Sequence, residues 1–428
     1  MPRTFSDWLD YQQRVHARGI DLDLERVHEV WRRMGAPSIA RTVITIGGTN
    51  GKGSTVAFLE AMLRAGGMRV GSYTSPHILR YNERVRIDGE DATDEALIAA
   101  FERIEIAREA NGENAIPLTY FEFGTLAALD VFSRAKPDVA LLEVGLGGRL
   151  DAVNIIDADA AIVTTVDLDH MEWLGNDRES IGREKAGIFR QDRPAVIGES
   201  DPPRSLLDEA RRIGAQVVRR GREYQMDTGK DGWDWRFGDT ELHLPMPSLQ
   251  APSQLANASS AIAALHALRG SLGWNPEAIA RGVHDAQLAG RLQKIAEAPQ
   301  VIVDVAHNPQ AARELAHWVD ANPVPGNTRA VFGALSDKDV AGVVRALDSR
   351  IAHWHLAGLQ SESPRGLPVA VLAQRVREVS PGVAVSEHTD VATALRAARA
   401  GAKEDDRVLA FGSFFVVAAV LRQFDSRR

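Results

Sequence analysis

Lys52 lies within a glycine-rich run, I-G-G-T-N-G-K-G-S-T, that extends from Ile46 to Thr55. A turn of this composition can aim successive backbone N–H groups into one concavity, at the positive end of a helix that starts there. Lys52 adds a full charge on a flexible stem, and Ser54 and Thr55 follow with hydroxyls. The natural occupant is a polyphosphate. The spacing is a variant of the common phosphate loop, G-x-x-x-x-G-K-[ST]. Ile46 stands where the first glycine is usual, and Gly53 stands where the hydroxyl residue is usual. The alternative is a glycine-rich hairpin with an incidental lysine. The flanks favour the loop: Val43–Ile46 is an apolar, strand-like run, and Thr55–Arg64 has a helical pattern.

Other residues could act beside such a loop. Glu143 stands at the end of an apolar strand-like run, V-A-L-L-E-V, with Val144 after it and then Gly145, Gly147, Gly148 and Arg149. A carboxylate at a strand's carboxyl end, facing phosphates, suits Mg²⁺, which takes hard oxygen ligands. A turn carboxylate in water is the other reading. His170, in V-D-L-D-H-M-E-W-L-G, reads as a group at the same metal or as a hydrogen-bonded loop histidine. Asp167 and Asp169 favour a cation-handling corner. Lys185, in R-E-K-A-G-I, reads by itself as a solvated lysine on a charged helix face. Asp304 and His307, in V-D-V-A-H-N-P, suit ribose hydroxyls and a phosphate, while Asn308-Pro309 also suits a helix start. Arg291 can grip phosphate with its guanidinium fork, or serve as a surface ion-pair partner.

Strand-like runs at Val139–Val144, Ala161–Val166 and Pro194–Gly198 alternate with helical patterns at Thr125–Ser133 and Ser180–Phe189. Such alternation predicts a parallel sheet with helices on both faces. Ligands of these sheets bind outside the carboxyl ends of strands. Gly47, Glu143 and Asp167–His170 all fall there. After a helical region at Pro276–Ala286 a second series begins with V-I-V-D-V-A-H at Val301. Strands follow near Ala330–Phe332, His353–Leu356 and Val408–Phe411. The domain boundary is expected near residue 295. The Trp-, Asp- and Gly-rich stretch Gly221–Leu244 suggests a small β-hairpin insert.

The 428 residues allow two or three domains with sizeable cores. A hydrophobic content of 44% with 25% charged residues fits a soluble globular protein. Net charge of −8 argues against a broad nucleic-acid surface. With no cysteine, disulfides and thiolate metal sites are excluded. The opening segment carries Asp7, Asp10 and Arg14 and has no apolar stretch of the signal-peptide kind, and Phe414–Leu421 is too short to span a bilayer. A cytoplasmic protein without membrane or nucleic-acid partners is expected.

Taken in order, G-T-N-G-K-G-S, T-S-P-H, T-Y-F-E, L-E-V-G-L-G-G-R-L-D, D-H-x-x-W-L-G, E-K-A-G-I, G-R-L-Q, D-x-A-H-N-P and S-D-K-D resemble the folylpolyglutamate synthase and dihydrofolate synthase family. That family belongs to the ATP-dependent Mur-type ligases, and the likeness runs from about Asp21 to Phe415. It implies an α/β fold: a P-loop, Mur-ligase-type central domain with a parallel-rich sheet, and a smaller Rossmann-like α/β C-terminal domain. Residues 1–295 would bind ATP and folate; residues 296–428 would complete the ATP site and bind glutamate.

The resemblance also implies roles. Thr49, Asn50, Gly51, Lys52, Gly53 and Ser54 would hold the ATP phosphates, with Asn257 at adenine and Arg291, Asp304 and His307 at ribose and phosphates. Ser75, Glu143 and His170 would bind Mg²⁺. Lys185 would be carbamylated and hold a second Mg²⁺, and K⁺ is a further expected cation. Lys52, His170 and Lys185 would be the catalytic set. Phe121, Asp151 and Asn154 would lie at the pterin, and Ser413 near glutamate. Val305 stands in place of a family glycine and Val153 in place of a threonine. Only 46 residues precede Gly47, which disfavours a cell-wall ligase with a large leading domain. The segment I-D-L-D-L-E-R-V resembles bifunctional members. The expected function is therefore ATP-dependent ligation of L-glutamate to dihydropteroate and to folate γ-carboxylates through an acyl phosphate, by a monomer. Alternatives are folylpolyglutamate synthase activity alone, a P-loop ATPase coupled to conformational work, and a nucleotide-binding regulatory protein without chemistry.

Overall fold

The computed structural model describes residues 2, 4–17, 20–109 and 115–425. The chain divides into two compact units. The first runs to Ser248 and resumes over Leu255–Gln287; the second takes Leu249–Gln254 and continues from Leu288. The division therefore precedes residue 295. The stretch before Val301 is not a connector: Gln293–Glu297 is a strand, paired antiparallel with Gln300–Val303. None of its residues is buried. An edge strand of that kind has no apolar run to announce it.

In the first unit, β1 (Thr42–Gly47), β2 (Val70–Tyr73), β3 (Val85–Ile87), β4 (Glu90–Asp91), β5 (Val139–Glu143), β6 (Ala160–Val163), β7 (Pro194–Ile197) and β8 (Gln216–Arg219) form one sheet. Its order is β4-β3-β2-β5-β1-β6-β7-β8. Every pairing from β2 to β8 is parallel, and β3 and β4 add an antiparallel edge. β1 and β5 are buried at all positions, which central parallel strands require when helices cover both faces. Phe58 and Leu59, on the helix Lys52–Ala65, are fully buried. Each such side chain contributes about 2 kcal/mol, so the helix that follows the glycine loop is anchored along its length.

The expected hairpin insert has three strands: β9 (Tyr224–Thr228), β10 (Trp233–Phe237) and β11 (Thr240–Leu244). Trp233 and Trp235 are sealed from solvent. The Trp235 indole N–H donates to the carbonyl of Ser259 at 3.2 Å.

The second unit has its own sheet of β12 (Gln293–Glu297), β13 (Gln300–Val303), β14 (Thr328–Phe332), β15 (His353–Ala357), β16 (Ala384–His388) and β17 (Arg407–Phe411). The order is β12-β13-β17-β14-β15-β16, parallel throughout except for β12. Its core centres on Phe332, with Phe411 at 5.1 Å and Trp354 at 5.5 Å between ring centroids. Among the described residues no helix is long and apolar enough to cross a membrane.

Candidate active site

β1 ends at Gly47, and the chain turns through Gly48–Gly51 into the helix Lys52–Ala65. Gly48 has φ +141° and Gly51 φ +88°. A Cβ on Gly48 would fall 1.8 Å from Thr164 Oγ1, and one on Gly51 would fall 2.4 Å from Asn257 Oδ1. Backbone conformation and close approach thus both demand glycine at these two places. The helix starts without a side-chain cap and without an acid in its first turn. Its leading N–H groups therefore have neither an intrahelical acceptor nor a side-chain cap, the arrangement that an anion can answer. Lys52 Nζ lies back over the loop, donating to Gly48 O at 3.1 Å and Thr49 O at 3.2 Å.

The loop is braced by the segment after β6. The sequence suggests a strand through Val166, but the strand stops at Val163. Thr164 and Thr165 leave the ladder to hold the glycine turn. Thr164 Oγ1 donates to Asn50 O at 2.6 Å, and Thr165 Oγ1 accepts from Asn50 N at 3.0 Å. Thr49 Oγ1 accepts from Asp167 N at 3.1 Å. The paired threonines at a strand end were the available signal for this brace.

β2, β5, β1 and β6 are neighbours, so the segments after their ends share one edge. Glu143 is 5% exposed, and its Oε2 accepts from Ser75 N at 3.2 Å. A carboxylate in open water is thereby ruled out. His170 sits at φ +49° and its N–H donates to Asp169 Oδ1 at 2.9 Å. Lys185, on the helix Arg178–Ala186, is only 3% exposed, so it is not on a solvated face. Burial first, and the Lys52 charge second, bring its pKa down to about 7, against the pull of Asp169 and Asp151.

Asp151 is buried, and burial pushes its carboxyl up to about 6 despite the N–H groups that it accepts. Those donors are Leu146 at 2.8 Å and Val153 at 3.1 Å. Asn154 Nδ2 donates to Arg149 O and Gly187 O, both at 3.0 Å, while its Oδ1 accepts from Arg190 Nη2 at 2.9 Å. Both residues hold the turn after β5 in shape. Val153, in the position of the family threonine, is fully buried in the core. Phe121 abuts that turn: a Cβ on Gly145 would fall 2.5 Å from its Cζ.

The T-Y-F-E run is a capping box, a role that its Thr-x-x-Glu spacing signals. Thr119 N donates to Glu122 Oε2 at 2.7 Å, and Glu122 N to Thr119 Oγ1 at 3.2 Å. Arg26 pairs with Glu122 at 3.1 Å and with Asp21 at 3.0 Å. Two motifs far apart in sequence are joined through that guanidinium.

Asn257, 5% exposed, stands on the helix Gln254–Ala267 against Gly51. In the second unit Asp304 follows β13. Its carboxylate accepts from Ala306 N at 2.7 Å and Leu292 N at 2.8 Å. Burial raises its pKa, and the Arg291 charge opposes the rise. Phe414 gathers two neighbours, Arg291 with its Cζ 5.5 Å from the ring centre and His307 with centroids 6.2 Å apart. His307 Nδ1–H donates to Val305 O at 2.8 Å. Asn308 caps the helix Pro309–Ala321, as its Asn-Pro start suggests. Ser413 Oγ accepts from Phe415 N at 3.2 Å, at the turn into the helix Phe414–Asp425.

Among the described residues no three His, Cys, Asp or Glu side chains form a metal cage. A Mg²⁺ ion held by one or two carboxylates and by phosphate oxygens does not need one.

Residues 46–265 match the Mur ligase middle domain, and residues 290–414 match the Mur ligase, glutamate ligase domain. The chain is 46% identical over 426 residues to the dihydrofolate synthase/folylpolyglutamate synthase of Escherichia coli K12, covering 99% of this chain and 96% of the relative. Among solved structures it is similar to E. coli FolC in complex with DHPP and ADP, with TM-score 0.92 and 45% identity, over 100% of this chain and 99% of that one. It is also similar to a bifunctional folylpolyglutamate synthase/dihydrofolate synthase with Mn, AMPPNP and L-glutamate bound. There the TM-score is 0.90 and the identity 45%, over 99% of this chain and 98% of that one.

Proposed function

Because the chain belongs to the dihydrofolate synthase/folylpolyglutamate synthase family of Mur ligases, we propose that it joins L-glutamate to dihydropteroate and to folate γ-carboxylates at the expense of ATP. The observation that carries this reading is the uncapped glycine turn at one sheet edge with buried Glu143 beside it and Lys185 sealed under the Lys52 charge.

A carboxylate is a poor acylating agent. Its oxygen attacks the γ-phosphorus of ATP, ADP departs, and an acyl phosphate forms. The amine of L-glutamate then attacks the acyl carbon, loses a proton, and phosphate leaves. Lys52 balances charge on the transferring phosphoryl group, where a fixed cation lowers the barrier most. Thr49, Asn50, Gly51, Gly53 and Ser54 position the phosphates with it, and Asn257 meets the adenine. Glu143, Ser75 and His170 would hold Mg²⁺, which supplies further neutralisation at phosphate oxygens.

Lys185 fits a carbamate. With a pKa of about 7, half of its amine is neutral near that pH, and the neutral nitrogen is the form that attacks CO₂. One proton leaves before the attack and one after it, so a cation becomes an anion with oxygen donors, suited to a second Mg²⁺. Phe121 and the turn held by Asp151 and Asn154 are assigned to the pterin. In the second unit, Arg291, Asp304 and His307 are assigned to ribose and phosphate, and Ser413 to glutamate.

ADP release tests the reading, with dihydropteroate and glutamate each omitted in turn. Release that ignores both acceptors would instead favour an ATPase coupled to conformational work.

A further inference from the structure

Arg84 is 8% exposed, yet no carboxylate answers its charge among the described residues. The one hydrogen bond of its guanidinium there runs from Nε to His77 Nδ1, at 2.9 Å. Its Cζ lies 5.4 Å from the ring centre of Tyr81 and 5.5 Å from that of Tyr120. Neither η-amino group is among the sealed, unpartnered side-chain atoms of the described residues, so both are reached by solvent and can donate to a ligand. His77 helps to hold the plane. Since a guanidinium does not give up its proton, Nδ1 must accept, and the imidazole carries its own proton on Nε2.

The position of Arg84 decides which part of a ligand it meets. It immediately precedes β3, and its carbonyl accepts from Thr74 N at 2.9 Å. It therefore stands on the same sheet edge as Ser75, Glu143 and the glycine turn, in the order β3-β2-β5-β1. Three strand spacings, about 14 Å, separate it from the phosphate loop. The carboxylate to be activated must lie at that loop. The guanidinium meets the opposite end of an extended acceptor, among aromatic rings. Tyr73 lies 6.0 Å from Phe121, and Tyr81 lies 5.8 Å from Tyr120.

We propose that Arg84 reads the pteridine ring of the acceptor, its two η-amino groups donating side by side to O4 and N5. This rests on the ligase reading above. The geometry matches that of a guanidinium on O6 and N7 of guanine. In a 7,8-dihydropteridine N5 is an imine nitrogen and accepts. In a 5,6,7,8-tetrahydropteridine N5 carries hydrogen, and half of the fork loses its acceptor. Arg84 thus sets a preference for the dihydro ring, at the step where the first glutamate is added.

The test compares 7,8-dihydropteroate with 5,6,7,8-tetrahydropteroate, kept anaerobic, in the native chain, Arg84→Met and Arg84→Lys. The native chain should favour dihydropteroate in kcat/KM. Arg84→Met should raise KM for dihydropteroate by roughly tenfold or more and bring the two acceptors close to parity, with KM for ATP unchanged. Arg84→Lys keeps a charge without the fork and should also lose the preference. An equal loss toward both acceptors, or an unchanged preference, would overturn the assignment. If Arg84→Met does not fold, Arg84→Lys and direct binding of dihydropteroate by calorimetry decide. A native chain that releases no glutamate-dependent ADP with either acceptor overturns the ligase reading as well, whereas an active one with insensitive variants overturns only the role of Arg84.

Discussion

The Lys52 ammonium bears on Lys185, and together with burial it holds Lys185 at a pKa of about 7, against 10.5 for a free lysine. Between those values the unfolded chain binds a proton that the folded chain does not, so stability rises with pH across the window. Below about pH 7 both states are protonated and the penalty for burying the charge is at its full size. Lys185→Met should therefore raise Tm most near pH 6, with the gain fading toward pH 10. Activity should move the opposite way. Degassed, CO₂-free buffer should lower turnover and bicarbonate should restore it. Lys185→Arg, which cannot form a carbamate, should lose roughly a hundredfold, the upper range for loss of a metal-supporting group. Mass spectrometry of active enzyme that finds only the free amine would reject the carbamate.

Lys52→Met should leave the fold intact, since the two bonds it removes lie within the loop. The expected fall in kcat is about 10²- to 10³-fold, as for other single donors to developing charge. ADP release, read beside an unchanged circular dichroism spectrum, checks this. Normal turnover would remove Lys52 from the chemistry.

Gly48→Ala places a Cβ 1.8 Å from Thr164 Oγ1 and strains a backbone held at φ +141°. Nucleotide binding should be lost. Adding Thr164→Ala removes the atom in the way but also the bond to Asn50 O at 2.6 Å. The double variant should regain part of the binding while keeping about 1–3 kcal/mol of backbone strain. Titration calorimetry with ATP across the four proteins measures the coupling. Strict additivity would mean that the two residues do not meet.

Asp304→Asn offers one acceptor oxygen to two N–H donors and turns an NH₂ group toward the other. The second unit should lose about 1–3 kcal/mol. Burial raises the Asp304 pKa above its ordinary 3.8, so the folded chain holds that proton longer. Its contribution to stability then falls as pH rises from 3.8 to the folded value. The variant should lack that slope. Urea unfolding of both proteins between pH 4 and 7 tests loss and slope together.

The glycine turn was legible because strand, turn and helix are contiguous, and each has a local signal. Glu143 was legible as a strand-end carboxylate for the same reason. β12 and β16 left no such trace: neither contains a buried residue, and edge strands need no apolar pattern. The strand expected through Val166 ended early because the Thr164 and Thr165 hydroxyls hold a loop more than a hundred residues away in sequence. Arg84, within E-R-V, had no signal of its own.

By itself the sequence determined the order of strands and helices, the glycine-demanding turn and the family likeness, because local conformational limits and hydrophobic period act over a few residues. Only the tertiary structure decided which charges lost their water. Lys185 looks solvated in R-E-K-A-G-I and is sealed in the fold; Arg84 looks ordinary and is buried without a carboxylate. Desolvation depends on what packs around a group, and those neighbours come from strands and helices distant along the chain.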